Sequence, residues 1–322
     1  MIRIATVGTG PIVRTFLRTL ADVDGIQAAC AYSRDLARAQ AFAAEHGVPA
    51  ASSDLDALLR SGDVDAVYLA SPNALHAEQA LRAVRAGRHV LVEKPATLTP
   101  GEFSALVAEA DAHGVVVFEG MRSVYDPAFD EIRRLLAELG PVRLVSLSYC
   151  QRSARYDLVL AGQRVNIFDP ALGGGALNDL GVYPVSALVA LFGEPHEVTA
   201  AQVTVASGAD GAGAALLRYP GFSAVATYSK ITASALPSQI QGERATLEID
   251  HLAAPARLTL RGIDGTVTVH ELRDAASNTG GPEHNMAFEV RRFLELIGGA
   301  DAAPDHARTL AALRVMERIR EA

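Results

Sequence analysis

The stretch Ile2-Arg3-Ile4-Ala5-Thr6-Val7-Gly8-Thr9-Gly10-Pro11-Ile12-Val13 sets the architecture of the chain. Ile2–Val7 is a short apolar run of the kind that forms a buried parallel strand. Gly8 supplies a tight turn, and Gly10 lets a pyrophosphate approach the backbone. The helix pattern that follows carries Ile12, Val13, Phe16, Leu17 and Leu20 on one face. Its N-terminus offers free N–H groups and a partial positive charge. Pro11 is well tolerated at a first helical position. Gly8, Gly10, Pro11 and Ile12 are therefore expected to hold the phosphates of a dinucleotide. At the third position of the glycine pattern stands Val13, where a small residue usually lets helix and strand pack closely.

Outward from this turn, strand and helix patterns alternate. Gln27–Tyr32, Ala66–Ala70, His89–Val92 and Val115–Phe118 read as further buried strands. Helix patterns lie between them: Asp35 to His46 ending at Gly47, Ala74 to Ala86 ending at Gly87, and one opened by Thr99-Pro100-Gly101-Glu102, a capping box, that stops at Gly114. The alternation predicts an N-terminal Rossmann domain with a doubly wound parallel sheet over residues 1–121. Beyond it the character changes. A helix with Asp126 as N-cap runs to Leu139. Strand-like segments follow at Val142–Cys150, Glu197–Ala206, Ala214–Arg218, Ala224–Ile231, Ala245–Ile249, Arg257–Leu260 and Thr266–His270. Pro282–Ile297 and Asp305–Ile319 look helical. Residues 122–322 thus read as an α+β domain for substrate binding and oligomerisation. Its large sheet is mainly antiparallel, and its last helices are available to pack back on the first domain.

The end of the second strand discriminates between dinucleotides. An acidic residue there would bond the adenosine ribose and favour NAD. The chain has Tyr32-Ser33-Arg34-Asp35 instead, with Asp35 suited to cap the next helix. Ser33, Arg34 and, one turn on, Arg38 suit a 2′-phosphate. NADP is favoured, with NAD as the alternative.

Two further segments carry chemistry. Glu93-Lys94-Pro95 follows a buried apolar strand, where strand ends face the ligand crevice of a doubly wound sheet. Gly173-Gly174-Gly175-Ala176-Leu177-Asn178-Asp179-Leu180-Gly181-Val182-Tyr183-Pro184 places Asp179 and Tyr183 four residues apart, on one face of a helix that Pro184 should disturb. Together with the glycine turn, these segments resemble the Gfo/Idh/MocA family of NAD(P)-dependent oxidoreductases. The Glu-Lys-Pro motif and the family's Gly-Gly-Gly…Asp-x-Gly-x-Tyr/His signature occur in the same order and spacing. Ala70-Ser71-Pro72-Asn73-Ala74-Leu75-His76 and Phe118-Glu119-Gly120-Met121-Arg122 match as well, so the similarity spans nearly the whole chain. It is strongest among Tyr-bearing members such as dihydrodiol dehydrogenases and sugar dehydrogenases.

The resemblance implies hydride transfer between NADP(H) or NAD(H) and a secondary hydroxyl or ketone of a sugar, cyclitol or related diol. It places Ser71, Asn73 and His76 along the cofactor. Glu93 either shapes its turn or helps to hold the dinucleotide. Removing a hydroxyl proton needs a base, and tyrosine is a poor one at its reference pKa of about 10 unless a cation stands near. Tyr183 is expected to act as general acid/base with Lys94 as electrostatic partner, and either could carry the proton first. Asp179 would orient Lys94 or a substrate hydroxyl. Arg122, Arg164, Asn166 and Asp169 are further candidates for a polyhydroxylated substrate. Two other readings fit the same frame: a non-catalytic dinucleotide sensor, and a member that cleaves glycosides through transient redox chemistry.

Bulk properties narrow the partners. A net charge of −8 without basic clusters speaks against nucleic acid and against an anionic membrane surface. Cys30 and Cys150 lie far apart in apolar stretches, and the nine histidines lack metal spacing. No metal is expected. No uncharged apolar run approaches the ~18 residues of a membrane span, and MIRIATVGTG does not read as a signal peptide. The chain reads as cytoplasmic. An open antiparallel sheet face would suit a homodimer or homotetramer.

Overall fold

The computed structural model describes residues 1–274, 276–278 and 280–322. The chain divides into two compact units, one of residues 1–121 and 286–310, the other of 122–285 and 311–322.

In the first unit β1 (Ile2–Val7) leads through the glycine turn to α1 (Pro11–Thr19). The series continues with β2 (Ile26–Tyr32), α2 (Leu36–His46), β3 (Ala50–Ser52), α3 (Leu55–Arg60) and β4 (Ala66–Leu69), then α4 (His76–Arg85), β5 (His89–Glu93), α5 (Pro100–His113) and β6 (Val117–Gly120). All six strands are parallel, in the order β3-β2-β1-β4-β5-β6. This is the doubly wound sheet expected from the alternation. β3 escapes the pattern because three residues, none fully buried, carry no hydrophobic period.

Local chemistry fixes the helix ends. Asp35 caps α2 by accepting from the Arg38 amide, and Gly47 closes it in the left-handed region at φ 66°. Thr99 and Glu102 form the capping box of α5. The core under β1 is dense: Phe16 stacks on Tyr68 with centroids 3.8 Å apart, worth about 1 kcal/mol beyond its burial. Val13 is fully buried and lies 3.6 Å from where a Gly8 side chain would begin, so the glycine-free third position is accommodated by packing.

The second unit opens with α6 (Pro127–Leu136), which stops a turn before the expected Leu139, and continues through β7 (Val142–Cys150), α7 (Tyr156–Leu160) and α8 (Val182–Phe192). Then come β8 (Glu197–Thr204), β9 (Asp210–Tyr219), β10 (Phe222–Ser229), β11 (Ser238–Gly242), β12 (Ala245–Ile249), β13 (Arg257–Gly262) and β14 (Val267–Glu271). The eight strands run β14-β13-β12-β11-β7-β10-β9-β8, antiparallel except for the β7–β10 pair. β11, with glutamines in two of its five positions, is the strand that hydrophobicity alone does not reveal. The sheet buries one face under α8 and leaves Leu144, Val203, Leu216, Val267 and Val269 exposed.

α9 (Met286–Ile297) belongs to the first unit, and α10 (Ala303–Glu321) passes from the first to the second after Leu310. Pro170–Phe192 is long and apolar enough to cross a membrane by length and composition, but 72% of its apolar window is buried inside the fold. It is a core segment under the sheet.

Candidate active site

The first unit shapes a dinucleotide cradle at the C-terminal ends of β1, β2, β4 and β5. Gly8 adopts φ 127°, and a side chain there would meet the Ala70 carbonyl at 2.8 Å. Only glycine fits. Gly10 is the N-cap of α1 and has open space where a side chain would stand, so backbone N–H groups there are reachable by a ligand. Beyond β2, Arg34 and Arg38 are exposed, while Asp35 is committed to its cap. The donor set therefore fits a dinucleotide bearing a 2′-phosphate.

Ser71 donates to Gln79 Oε1 at 2.6 Å, and Asn73 opens a short 3-10 turn. His76 is placed differently from expectation. Its ring is fully buried, with Nδ1 3.0 Å from the Pro95 carbonyl and Nε2 2.9 Å from the Ser71 carbonyl. It ties the loop after β4 to the loop after β5 and supports the cradle from behind. Burial pushes the imidazole below its usual range, against the opposing pull of the two carbonyls. Glu93 also faces inward, accepting from the Tyr68 hydroxyl at 2.6 Å and from the Lys94 amide at 3.3 Å. Of its two sequence readings, the turn-shaping one has this direct support. Lys94, half-buried, begins the turn at the end of β5. Behind it Glu119 accepts from the Ala96 amide and the Thr309 hydroxyl, and burial raises its pKa.

The second unit assembles Asp179, Tyr183 and Arg122. Residues Leu177–Gly181 form a π-helical turn that runs directly into α8. Pro184 follows the junction, and the wider turn absorbs the irregularity that proline was expected to cause. Gly181 lets this turn lie against Tyr228 of β10, since a side chain there would stand 2.9 Å from the ring. The Leu177 amide donates to Asp210 Oδ2 at 2.6 Å, anchoring the start of the turn. Asp210 is itself desolvated, and burial raises its pKa.

Tyr183 is only 6% exposed. Arg122 donates from Nε to its Oη at 3.2 Å and lies over the ring, and Tyr149 meets it edge-on at 5.1 Å. Arg122 was expected to bind substrate, but it is 4% exposed. Its terminal nitrogens donate to the carbonyls of Ala253, Gly280 and Gly281 and to Asn285 Oδ1. The guanidinium is thus a buried support for Tyr183. Asn285 donates in turn to Asp126, which Arg273 grips through both carboxylate oxygens.

Asp179 meets an ammonium that sequence reasoning missed. Lys230 Nζ stands 2.7 Å from Asp179 Oδ2, directly after β10. The signal was present, a lone lysine closing an apolar strand, but nothing local links it to Asp179. Arg164 and Asp169 are brought together at 2.5 Å, with the Arg164 side chain 76% exposed and Asp169 capping the turn at Ala171. Both line a cavity of about 300 Å³ with Val159, Val165 and Phe168. Asn166 is exposed beside them. A second cavity, about 260 Å³, is lined by Tyr149, Cys150, Ser234, Asp250 and His251. Both cysteines are free.

Comparison with known proteins places the chain in a family. Residues 2–121 match the model of the Gfo/Idh/MocA oxidoreductase family, described as an NAD-binding Rossmann fold, and residues 129–248 match the Gfo/Idh/MocA C-terminal domain. The chain is 40% identical to scyllo-inositol 2-dehydrogenase (NADP(+)) IolU of Bacillus subtilis over 324 residues, covering 100% of this chain and 97% of that one. It is 38% identical over 175 residues to D-xylose 1-dehydrogenase (NADP(+)) 2 of Haloferax volcanii, covering 54% and 52% of the two chains. Among solved structures, KijD10, a 3-ketoreductase from Actinomadura kijaniata in complex with NADP and TDP-benzene, superposes with a TM-score of 0.88 at 25% identity and covers 99% and 97% of the chains. With both domains matched and a relative aligned from end to end, the chain belongs to the Gfo/Idh/MocA oxidoreductase family.

Proposed function

We propose that this protein is an NADP-dependent oxidoreductase acting on a secondary hydroxyl or ketone of a sugar, cyclitol or related diol. The observation that carries the reading is the buried phenol of Tyr183, with the Arg122 guanidinium on its oxygen and Asp179 one turn away. When bound, NADP(H) accepts or supplies the hydride. Tyr183 Oη takes the hydroxyl proton as the carbonyl forms and returns it in reduction. Arg122, always charged, stabilises the negative charge that grows on that oxygen as the proton leaves. Asp179 accepts from a substrate hydroxyl and orients the ring. Lys94 donates to the reacting oxygen. Ser33, Arg34 and Arg38 hold the 2′-phosphate, and Gly8, Gly10, Pro11 and Ile12 hold the pyrophosphate, with Ser71 and Asn73 lining the loop.

The names of the relatives support this substrate class, since inositol and xylose are both polyhydroxylated rings. We also assign residues 1–121, with residues 286–310 of the same unit, to cofactor binding and the rest of residues 122–322 to substrate binding. The protein is taken to be a cytoplasmic homodimer or homotetramer, with the exposed apolar residues of the open sheet face as the contact. Light scattering during gel filtration checks the assembly.

The test is a panel of inositols, aldoses and diols assayed with NADP+ and NAD+ by the appearance of reduced cofactor. NADP-linked oxidation of at least one ring polyol, lost in Tyr183→Phe while NADPH still binds, is the expected result. Tight NADPH binding with no turnover would make the protein a sensor. Glycoside cleavage without net change in cofactor would make it a transient-redox member.

A further inference from the structure

Lys230 is the most deeply buried cation near the proposed chemistry. It is 2% exposed, yet its Nζ forms a 2.7 Å ion pair with Asp179 Oδ2, whose side chain is 39% exposed. The ammonium also donates to the Ile167 carbonyl at 2.9 Å and lies 4.8 Å over the Phe168 ring. Its own backbone is fixed, with the Lys230 amide donating to the Gly211 carbonyl at 2.8 Å. Taking an ammonium out of water costs several kcal/mol, and an apolar side chain of similar volume would often serve stability equally well. A lysine at this depth therefore calls for a reason beyond packing.

The pair is asymmetric. The lysine is sealed from solvent and cannot reach a substrate, while the carboxylate it holds opens outward. Asp179 sits in a π turn, a backbone form recurrent at functional sites. The turn is pinned at its start by Asp210 and beside Asp179 by the Asn178 side chain, whose Nδ2 donates to the Gly173 carbonyl at 3.0 Å. Those bonds hold the π turn, but neither touches the Asp179 carboxylate itself. The ion pair acts on the carboxylate directly and restrains its side-chain torsions.

We propose that Lys230 is a positioning residue that holds the Asp179 carboxylate in one orientation, so that it is preset to accept from a hydroxyl of a polyhydroxylated substrate. The inference rests on the role given to Asp179 above. The residues that serve it come from three separate stretches: the Ile167–Phe168 turn, the π turn and the end of β10.

Two experiments on the full-length protein test it. In the first, crystal structures of the wild type and Lys230→Met are compared. The Asp179 carboxylate should leave its place beside the end of β10; an unmoved carboxylate overturns the inference, whatever the activity. In the second, kcat and KM are measured with NADP+ and scyllo-inositol or D-xylose for Lys230→Met, Lys230→Arg, Asp179→Asn and the Met/Asn double variant. Lys230→Met should lose about 10- to 100-fold in kcat/KM, the scale for removing a group that orients another, with the Kd for NADPH unchanged. Lys230→Arg should recover part of the loss. The double variant should be no slower than the slower single one, because both changes break the same unit. Losses that multiply in the double variant overturn the inference. Should Lys230→Met not fold, the cycle is run with Lys230→Arg, and the same criterion applies. A wild type that oxidises no member of the substrate panel argues against the proposed function, and the crystallographic comparison still decides the role of Lys230.

Discussion

Arg122 and Tyr183 stand 61 residues apart in sequence and meet at 3.2 Å, guanidinium Nε to phenolic Oη. Arg122→Lys keeps a charge but loses the fork that serves five acceptors. We expect kcat to fall by about 100-fold, the scale of losing one preorganised donor. Stability should fall by about 2–4 kcal/mol as buried carbonyls lose their partners. Tyr183→Phe should be inactive and nearly as stable as the wild type. Initial rates and urea denaturation separate the two, and a wild-type rate in Arg122→Lys would remove Arg122 from the mechanism.

The exposed pair Arg34 and Arg38 is expected to select the phosphorylated dinucleotide. Replacing both by Ala should raise the Kd for NADPH by roughly 10- to 100-fold, since hydrogen bonds to a charged group are worth about 1.5–3 kcal/mol. NADH binding and the melting temperature should hardly change. Titration of both cofactors by fluorescence checks this, and an unaltered preference for NADPH would shift the selection elsewhere.

Gly8 combines a positive φ with a carbonyl 2.8 Å from any added side chain. Gly8→Ala should lose about 2–4 kcal/mol of stability from strain and displacement of the loop after β4. Gly10→Ala meets open space and should fold normally, but bind NADPH more weakly, because the new methyl occupies the approach of the pyrophosphate. Thermal melts with and without NADPH distinguish the two variants.

His76 gives stability a pH dependence of defined sign. Burial holds its folded-state pKa below the usual 6.5. The unfolded chain thus takes up a proton as pH falls through about 6.5, before the folded state does. The His76 contribution is complete above that pH and declines as the solution is acidified toward the folded-state value. His76→Gln should therefore lose less melting temperature than the wild type between pH 7 and pH 5. Equal slopes in the two proteins would show that His76 does not titrate differently in the two states.

Much of this protein is written locally. The strand–turn–helix of Ile2–Val13, the caps at Asp35, Thr99 and Asp126, and the glycine stops at Gly47 and Gly114 each follow from a few adjacent residues, because backbone geometry and hydrogen-bond supply are short-range. That sufficed for the doubly wound sheet, for a second, mainly antiparallel one, and for naming Asp179 and Tyr183 as neighbours. Two short strands escaped, Ala50–Ser52 and Ser238–Gly242, since their pairing is fixed by the strands beside them and not by their own hydrophobic period.

The electrostatic partners were decided elsewhere. In sequence Arg122 reads as a substrate ligand and nothing singles out Lys230. Packing instead places Arg122 under the Tyr183 phenol and Lys230 under the Asp179 carboxylate. His76 likewise turns from a cofactor ligand into a buried tie between two loops. The sequence by itself determined most of the helices and strands and marked a set of residues able to do chemistry. Only the tertiary structure decided which charge answers which, because a side-chain ion pair depends on strand register and helix docking between distant segments, and no local spacing encodes either.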